Sequence, residues 1–205
     1  QGVRGSGTWD LGWGFNVPSV ELVAAYENGD LRKKTTILTS GGPDIYGSAG
    51  YTLPSVPTIA QQYWNGKAYT YPAERIQYAQ NKNHWENIKI IRYADVVLMA
   101  AEAANELGQS GKAANYVNMI RNRAGLANTT AADQVTLRAA IKQERRIEFA
   151  MEFERFYDLV RWGILEQKVN ETKAAMQTLA ADVNFKNLDV TTFGTFSLDD
   201  NNIPV

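Results

Sequence analysis

Three glutamates in the most highly charged stretch of the chain have a spacing that could bring their carboxylates together. Glu144, Glu148 and Glu152 recur every four residues, so a continuous helix would place them on one face. Such a cluster could hold two metal ions or supply a general acid and a general base. A di-iron site in a helical bundle also needs Glu-x-x-His pairs, and residues 144–162 contain no histidine. A glycosidase needs two carboxylates across a cleft rather than stacked on one helix.

Arginines in the same stretch favour a structural interpretation of these acids. Buried or half-buried charges are tolerated only when they are paired. Partners within the stretch are available from Arg145, Arg146, Arg155 and Arg161. Arg92, Asp95 and Glu102 follow one face of an alanine-rich segment and need partners of the same kind. We therefore expect ion pairs between helices, with no catalytic or metal site, and we expect Glu148→Ala to destabilise the fold.

Aromatic side chains in the first part of the chain are the candidates for ligand binding. Aromatic residues make up 11% of the sequence, with 5 Trp and 10 Tyr. A flat ring can stack on the C–H face of a sugar while neighbouring amides and hydroxyls bind its hydroxyl groups. The candidate rings are Tyr46, Tyr51, Tyr63, Trp64, Tyr69 and Tyr71. If they bind a ligand, Trp64→Ala should weaken binding and leave the melting temperature nearly unchanged; the alternative is that the rings fasten long loops to a scaffold.

Composition excludes several classes of protein. The chain has 205 residues, 44% of them hydrophobic and 21% charged, which is ample for a globular core. Its 21 basic and 22 acidic residues leave no basic excess for binding nucleic acid. The sequence has no cysteine and a single histidine, which excludes disulfides, thiolate nucleophiles and cysteine-based zinc sites. No cofactor is indicated, because the glycines form no phosphate-binding pattern.

Hydrophobic periodicity predicts a mainly α-helical protein. Helices are expected over residues 19–28, 88–107, 111–123, 136–162 and 165–180, with Ser19 and Asp133 as N-caps. The second and third helices together span about 35 residues, close to the tetratricopeptide period of 34. Glycines that follow the predicted helices, such as Gly108 and Gly125, are expected to end them.

Amino-acid composition and hydrophobic pattern divide the chain into three parts. Residues 1–86 are rich in loops and aromatic side chains, with one short helix and a hairpin around residues 63–69, and form the candidate ligand-binding region. Residues 87–182 form the helical scaffold, and residues 183–205 an irregular tail. The chain begins with Gln and stops just after a polar turn, so we expect it to be a piece of a longer protein.

Three blocks of the sequence carry a resemblance to a known family. The first is NVPSVELVAAYENGDLR at residues 16–32, and the second is IRYADVVLMAAEA at 91–103 followed by IRNRAGL at 120–126. The third, at 144–163, is ERRIEFAMEFERFYDLVRWG. Together and in this order they resemble the C-terminal region of the SusD/RagB family. The chain departs from the family pattern at Phe153, where members commonly have glycine after the glutamate, and this departure affects packing.

The resemblance implies both an architecture and a function. It implies a SusD-like, tetratricopeptide-like helical scaffold that carries long irregular loops. It also implies non-catalytic binding of an oligosaccharide at the bacterial outer-membrane surface, and delivery to a SusC-like TonB-dependent transporter. The family carries a lipid anchor on a cysteine and N-terminal helical repeats, which we expect outside this fragment. The family's glycan contacts lie in variable loops, so the aromatic candidates rest on residue chemistry alone.

Two other functions remain open from the sequence. One is a tetratricopeptide-type module that binds a peptide or a partner protein and no sugar. The sequence contains a single clear helical pair, whereas such arrays need about three repeats to form a groove, which favours glycan binding. The other is a carbohydrate-active enzyme, and the few acids of the loop-rich part, such as Asp44 and Glu74, form no evident pair.

Overall fold

The computed structural model describes residues 15–43, 46, 52–53, 62–70, 77 and 87–180. The predicted C-terminal tail lies outside these residues. The helices and strands of the described part are, in chain order, α1 (Val20–Ala24), α2 (Leu31–Thr36), β1 (Ile37–Thr39), β2 (Tyr63–Asn65), α3 (Tyr93–Glu106), α4 (Ser110–Arg123), α5 (Gln134–Glu148), α6 (Glu154–Arg161) and α7 (Leu165–Ala180). Within the described residues, no helix combines the length and the apolar character that crossing a membrane requires.

Three helices form the scaffold, and small side chains let them pack closely. Helices α3 and α4 pack against each other, and both pack on α5. One buried layer brings together Ala101, Val117 and Ile141. The next layer toward the far end of α3 consists of Ala104, Ala113 and Leu137, and the layer at the opposite end contains Leu98, Ile120 and Phe149. The predicted helical pair is confirmed, except that its first helix begins at Tyr93 and not at residue 88. The protein is mainly α-helical with a tetratricopeptide-like scaffold.

The ends of the helices follow local signals in the sequence. The Ser19 side chain accepts a hydrogen bond from the Leu22 N–H at 3.1 Å, and Asp133 forms a capping box at the start of α5. Gly108 and Gly125 have φ angles of +72° and +77°, the left-handed conformation that favours glycine after a helix. These predicted caps and stops are confirmed, and α7 has its predicted bounds, whereas α1 ends at Ala24 and not at the predicted residue 28.

The predicted long helix over residues 136–162 is wrong, because it is interrupted after Glu148. Helix α5 ends there, residues 149–153 form a turn, and α6 begins at Glu154. Neither glycine nor proline marks the interruption, and the turn includes two non-glycine residues at positive φ, Met151 at +69° and Phe153 at +77°. The sequence also predicts an apolar stripe along this helix that includes Phe149, Phe153 and Phe156, and this prediction is wrong as well. Phe149 is buried, whereas Phe153 and Phe156 are exposed.

The loop-rich part contains more regular structure than the sequence predicts. Helix α2 was not predicted, because six residues are too few to show a period. The predicted local hairpin is wrong: β2 pairs antiparallel with the distant β1, with Leu38 opposite Trp64. These two side chains form a small core with Leu53 and Tyr69. The division of the chain near residue 86 stays a prediction.

A close backbone approach at Gly66 gives a first testable prediction. The Gly66 N–H donates to the Thr36 carbonyl oxygen at 2.8 Å, and a Cβ atom at Gly66 would lie 2.7 Å from the Thr35 carbonyl oxygen. Since backbone atoms cannot move aside cheaply, we expect Gly66→Ala to reduce the free energy of unfolding by about 2 kcal/mol. Denaturant unfolding of the full-length protein measures this change.

The matched control for this prediction is Gly111→Ala. Gly111 lies in helix α4, and a Cβ atom there would meet nothing within 4 Å. Alanine is the better helix former, so this variant should be as stable as the parent or slightly more stable. Equal destabilisation by both substitutions would contradict the close approach at Gly66.

Candidate functional site

A cavity of about 690 Å³ lies where the loop-rich part meets the end of α5. Its walls come from α2, the turn after β2, the residues just before α3, the end of α4 and the turn at 149–153. The volume is within the roughly 300–1,000 Å³ that is usual for small-molecule sites. We call it the charged cavity, because seven of its described lining residues carry charged side chains: Arg32, Lys67, Lys89, Arg92, Arg123, Glu148 and Glu152.

Glu148 lies at the centre of the charged residues of the cavity, and its side chain is almost fully buried. One of its oxygens, Oε1, accepts from Arg92 at 2.6 Å and also from Arg123, and the other accepts from Arg32 at 3.1 Å. Burial by itself would raise the pKa of Glu148. The bonds to Arg92 and Arg123 outweigh burial and lower the pKa to about 2. Glu148 is therefore a permanently charged carboxylate at physiological pH.

Helix α2 contributes Arg32, which joins the loop-rich part to the scaffold. Its guanidinium group donates to both carboxylate oxygens of Asp30, at 2.9 and 2.7 Å, and to Glu144 at 2.6 Å. Burial alone would lower the pKa of Arg32, but the bonds to Asp30 and Glu144 raise it above its ordinary value. Asp30 is also the N-cap of α2, so the residue that starts this helix orients the arginine.

The turn at 149–153 is joined to the loop-rich part through Glu152. The Glu152 carboxylate accepts from Lys67 and, at 2.7 Å, from the Nε atom of Arg92. Lys67 also donates to the Glu148 carbonyl oxygen at 2.8 Å, which satisfies an acceptor at the end of α5. Burial lowers the pKa of Lys67, and the Glu152 carboxylate opposes this effect. The Arg92 guanidinium lies over the Phe149 ring at 4.6 Å from its centroid.

The predicted network of ion pairs is confirmed, although several partners differ from those expected. Arg145 pairs with Asp158 at 2.8 Å and with Asp95 at 2.7 Å, and Arg161 pairs with Glu102. These are the pairs between helices that the sequence predicts for Asp95 and Glu102. The glutamates at 144, 148 and 152 are bound by arginines and a lysine from outside their own stretch, namely by Arg32, Arg92, Arg121, Arg123 and Lys67.

Two of the candidate aromatic residues are not at the surface. Trp64 is 0% exposed and Tyr69 is 1% exposed, and both side chains belong to the core cluster with Leu38 and Leu53. A sugar stacks only on a ring face that is open to solvent, so neither ring can stack on a ligand in this structure. Because Trp64 is buried, the expectation that Trp64→Ala leaves the melting temperature unchanged is wrong, and we now expect this substitution to lower it.

The other candidates are distributed differently. Tyr46 is 49% exposed and lines the charged cavity, where its hydroxyl contacts the Tyr69 carbonyl oxygen at 3.5 Å. Tyr63 is half-buried and packs on the cluster formed by α1, β1 and the end of α5. Tyr51 and Tyr71 lie outside the described residues. Among the described candidates, Tyr46 and Tyr69 are the two that line the cavity.

The ligand candidates chosen from the sequence do not include Phe153, the most exposed of the described aromatic residues that line the cavity. Phe153 lines the charged cavity and is 64% exposed, although its spacing places it on the predicted apolar stripe. The side chain leaves the stripe because the helix ends at Glu148. No local signal in the sequence indicates this interruption.

The chemistry available in the cavity is hydrogen bonding and charge recognition. A general acid needs a pKa near the working pH, whereas the pKa of Glu148 is about 2. Glu152 is occupied by Lys67 and Arg92. No group of three or more His, Asp or Glu side chains within the described residues is suited to hold a metal ion. The cavity therefore presents fixed charges and hydrogen-bonding side chains.

Known proteins resemble this chain over most of its length. The model of the SusD family matches residues 4–201. SusD-like protein P25 of Formosa agariphila is 34% identical over 164 residues, which cover 78% of this chain and 28% of the relative. A SusD superfamily protein from Bacteroides vulgatus, whose crystal structure is known, superposes with a TM-score of 0.64 and 26% identity over 91% of this chain and 39% of that one.

A further solved structure is that of surface glycan-binding protein A from Bacteroides uniformis. It has a TM-score of 0.52 and 27% identity to this chain, and the match covers 70% of this chain and 28% of that one. The chain thus spans less than half the length of these relatives. With the three sequence blocks, the helical scaffold and a family match over residues 4–201, the chain belongs to the SusD family.

Proposed function

We propose that the protein binds oligosaccharides at the bacterial cell surface and does not cleave them. The observation that carries the proposal is membership of the SusD family, together with the likeness to a protein named as a surface glycan-binding protein. The charged cavity supports it, since a half-exposed tyrosine, Tyr46, lies there among hydrogen-bonding groups. A ring beside such groups is the arrangement that sugar recognition requires.

The carboxylates of the cavity support binding without catalysis. Hydrolysis of a glycosidic bond requires one carboxylic acid with a raised pKa and a second carboxylate across the bond. Glu148 has a pKa of about 2 and is bound by three arginines, and Glu152 is bound by Lys67 and Arg92. Both carboxylates act as fixed acceptors that hold the cavity walls together.

The proposed partners are a SusC-like TonB-dependent transporter and the remainder of the full-length protein. The surface of α3 supports the second of these, because Tyr93, Val96 and Met99 expose apolar side chains at helical spacing. Such a stripe is stabilised when another helix covers it. We propose that N-terminal helical repeats pack there, and that a lipidated cysteine in the same portion anchors the protein to the outer membrane.

A glycan array with the full-length protein tests the proposed function. We expect saturable binding to at least one oligosaccharide class, competed by the same sugar free in solution. Tyr46→Ala should weaken this binding with little change in the unfolding midpoint, because the Tyr46 ring is half-exposed at the cavity. The control is Tyr157→Ala, an exposed tyrosine of α6 that does not line the cavity. A folded protein that binds peptides and no glycan would contradict the proposal and support a tetratricopeptide-type protein-binding module.

A further inference from the structure

The turn at 149–153 holds two residues in a conformation that their side chains disfavour. Among the described non-glycine residues, only Asn16, Met151 and Phe153 have positive φ angles. Bulky residues rarely adopt this conformation, and each instance is a local strain that the surrounding structure must hold in place. Glu152, between Met151 and Phe153, is held by Lys67 and Arg92. The ion pairs therefore fix the turn, and with it the backbone position of Phe153.

Stability alone does not account for a phenylalanine at position 153. Glycine would adopt the φ angle of +77° without strain. The ring is 64% exposed, so it buries little apolar surface in return. Strained backbone and an exposed aromatic ring coincide at the wall of the charged cavity. This combination is typical of a residue placed for binding.

The charges around the cavity indicate what kind of ligand would be bound. Among its described lining residues, five are cations and two are carboxylates. Both carboxylates are largely buried beneath their partners, with side-chain exposures of 3% for Glu148 and 18% for Glu152. The Arg123 side chain is 55% exposed and Lys89 is also exposed. A ligand entering the cavity therefore meets positive charge before it meets negative charge.

We propose that the charged cavity binds an acidic sugar, one that carries a carboxylate or a sulfate group, with Phe153 as the ring on which the sugar stacks. The C–H face of the sugar packs on the Phe153 ring. Its anionic group lies toward Lys89 and Arg123, whose side chains are open to solvent. This inference rests on the proposed function and adds to it a site, a stacking residue and a class of sugar.

The first test separates the ring of Phe153 from the stability of the turn. Full-length Phe153→Gly should bind acidic oligosaccharides about tenfold more weakly by calorimetry, because the stacking surface is lost. Its unfolding midpoint should equal or exceed that of the parent, since glycine relieves the backbone strain. Phe153→Tyr should retain the affinity of the parent. Phe156→Ala, which removes an exposed ring of α6 outside the cavity, is the matched control and should leave the affinity unchanged.

The second test addresses the charge of the ligand. The probes are oligogalacturonate and chondroitin sulfate oligosaccharides, compared with neutral gluco- and manno-oligosaccharides of equal length. We expect binding of an acidic probe to weaken as the salt concentration rises, and Lys89→Gln to weaken it several-fold. Lys112→Gln removes an exposed lysine at the start of α4, outside the cavity, and should have no effect.

The remaining outcomes distinguish the binding of an acidic sugar at Phe153 from glycan binding in general. Glycan binding that is unchanged in Phe153→Gly, or that is restricted to neutral probes, would overturn this inference and leave the proposed function standing. Failure of the folded full-length protein to bind any glycan on the array or any of these probes would overturn both.

Discussion

Glu148→Ala is expected to reduce the free energy of unfolding by about 3 kcal/mol, because it removes a buried carboxylate that three arginines share. Arg92 and Arg32 keep other acidic partners, whereas Arg123 forms an ion pair with Glu148 alone among the described acids. The Lys67 bond to the residue-148 carbonyl is a backbone contact and should survive. Denaturant unfolding of the full-length protein, monitored by tryptophan fluorescence, measures the loss.

The pH dependence of stability provides an independent readout of the same carboxylate. The pKa of Glu148 is about 2 in the folded protein, against 4.5 for an ordinary glutamate. A carboxylate with a lowered pKa stabilises the fold above its unfolded pKa, and this contribution disappears as the pH falls from about 4.5 toward 2. Glu148→Gln should therefore lose less stability than the parent over this interval.

The control for Glu148 is Glu106→Ala, which breaks an exposed pair between Glu106 and Arg138. Exposed pairs contribute little, so this variant should unfold with nearly the parent midpoint. Equal effects of the two substitutions, or parallel pH curves for Glu148→Gln and the parent, would contradict the central role of Glu148.

Trp64→Ala is expected to reduce the free energy of unfolding by about 4 kcal/mol. The Trp64 side chain is fully buried against Leu38, Leu53 and Tyr69, and its removal leaves a large cavity in this small core. Trp64 also stands opposite Leu38 in the pairing of β1 with β2, so the two-stranded sheet should loosen. Thermal unfolding of the full-length protein gives the change in midpoint.

The matched control for Trp64 is Tyr157→Ala, since Tyr157 is 70% exposed on α6. That variant should melt close to the parent. If Trp64→Ala instead kept the parent midpoint and lost only glycan binding, Trp64 would be a ligand-binding residue, as expected from the sequence. That result would contradict its place in the buried cluster. The loss of stability in Trp64→Ala would also lower apparent binding, so affinity must be compared at a temperature where both proteins are folded.

Local interactions explain why much of the helical scaffold could be predicted from the sequence. The Ser19 cap, the capping box at Asp133 and the glycine stops at 108 and 125 involve residues a few positions apart. Each of these interactions depends on residues that are close together in the sequence, so it can be predicted without knowledge of the tertiary structure. The predicted ion pairs follow from a similarly general rule, since charges on a packed helix need partners.

The identity of those partners was decided by tertiary structure. Glu148 is bonded to arginines that lie 25, 56 and 116 positions away along the chain. The sequence shows that Glu148 needs a cation, but several arginines are equally available to it. Only the packing of α2 and of the residue before α3 against the end of α5 selects Arg32 and Arg92.

The sequence by itself determined the family, the helical scaffold and the need for paired charges. Tertiary structure decided which aromatic rings are open: it buried Trp64 in the pairing of β1 with β2, and it exposed Phe153 by ending α5 at Glu148. Side-chain chemistry is a property of each residue, whereas exposure depends on which distant segments cover it. The interruption at 149–153 has no glycine or proline, so the contacts of Glu152 with Lys67 and Arg92 hold a turn that local propensity does not favour.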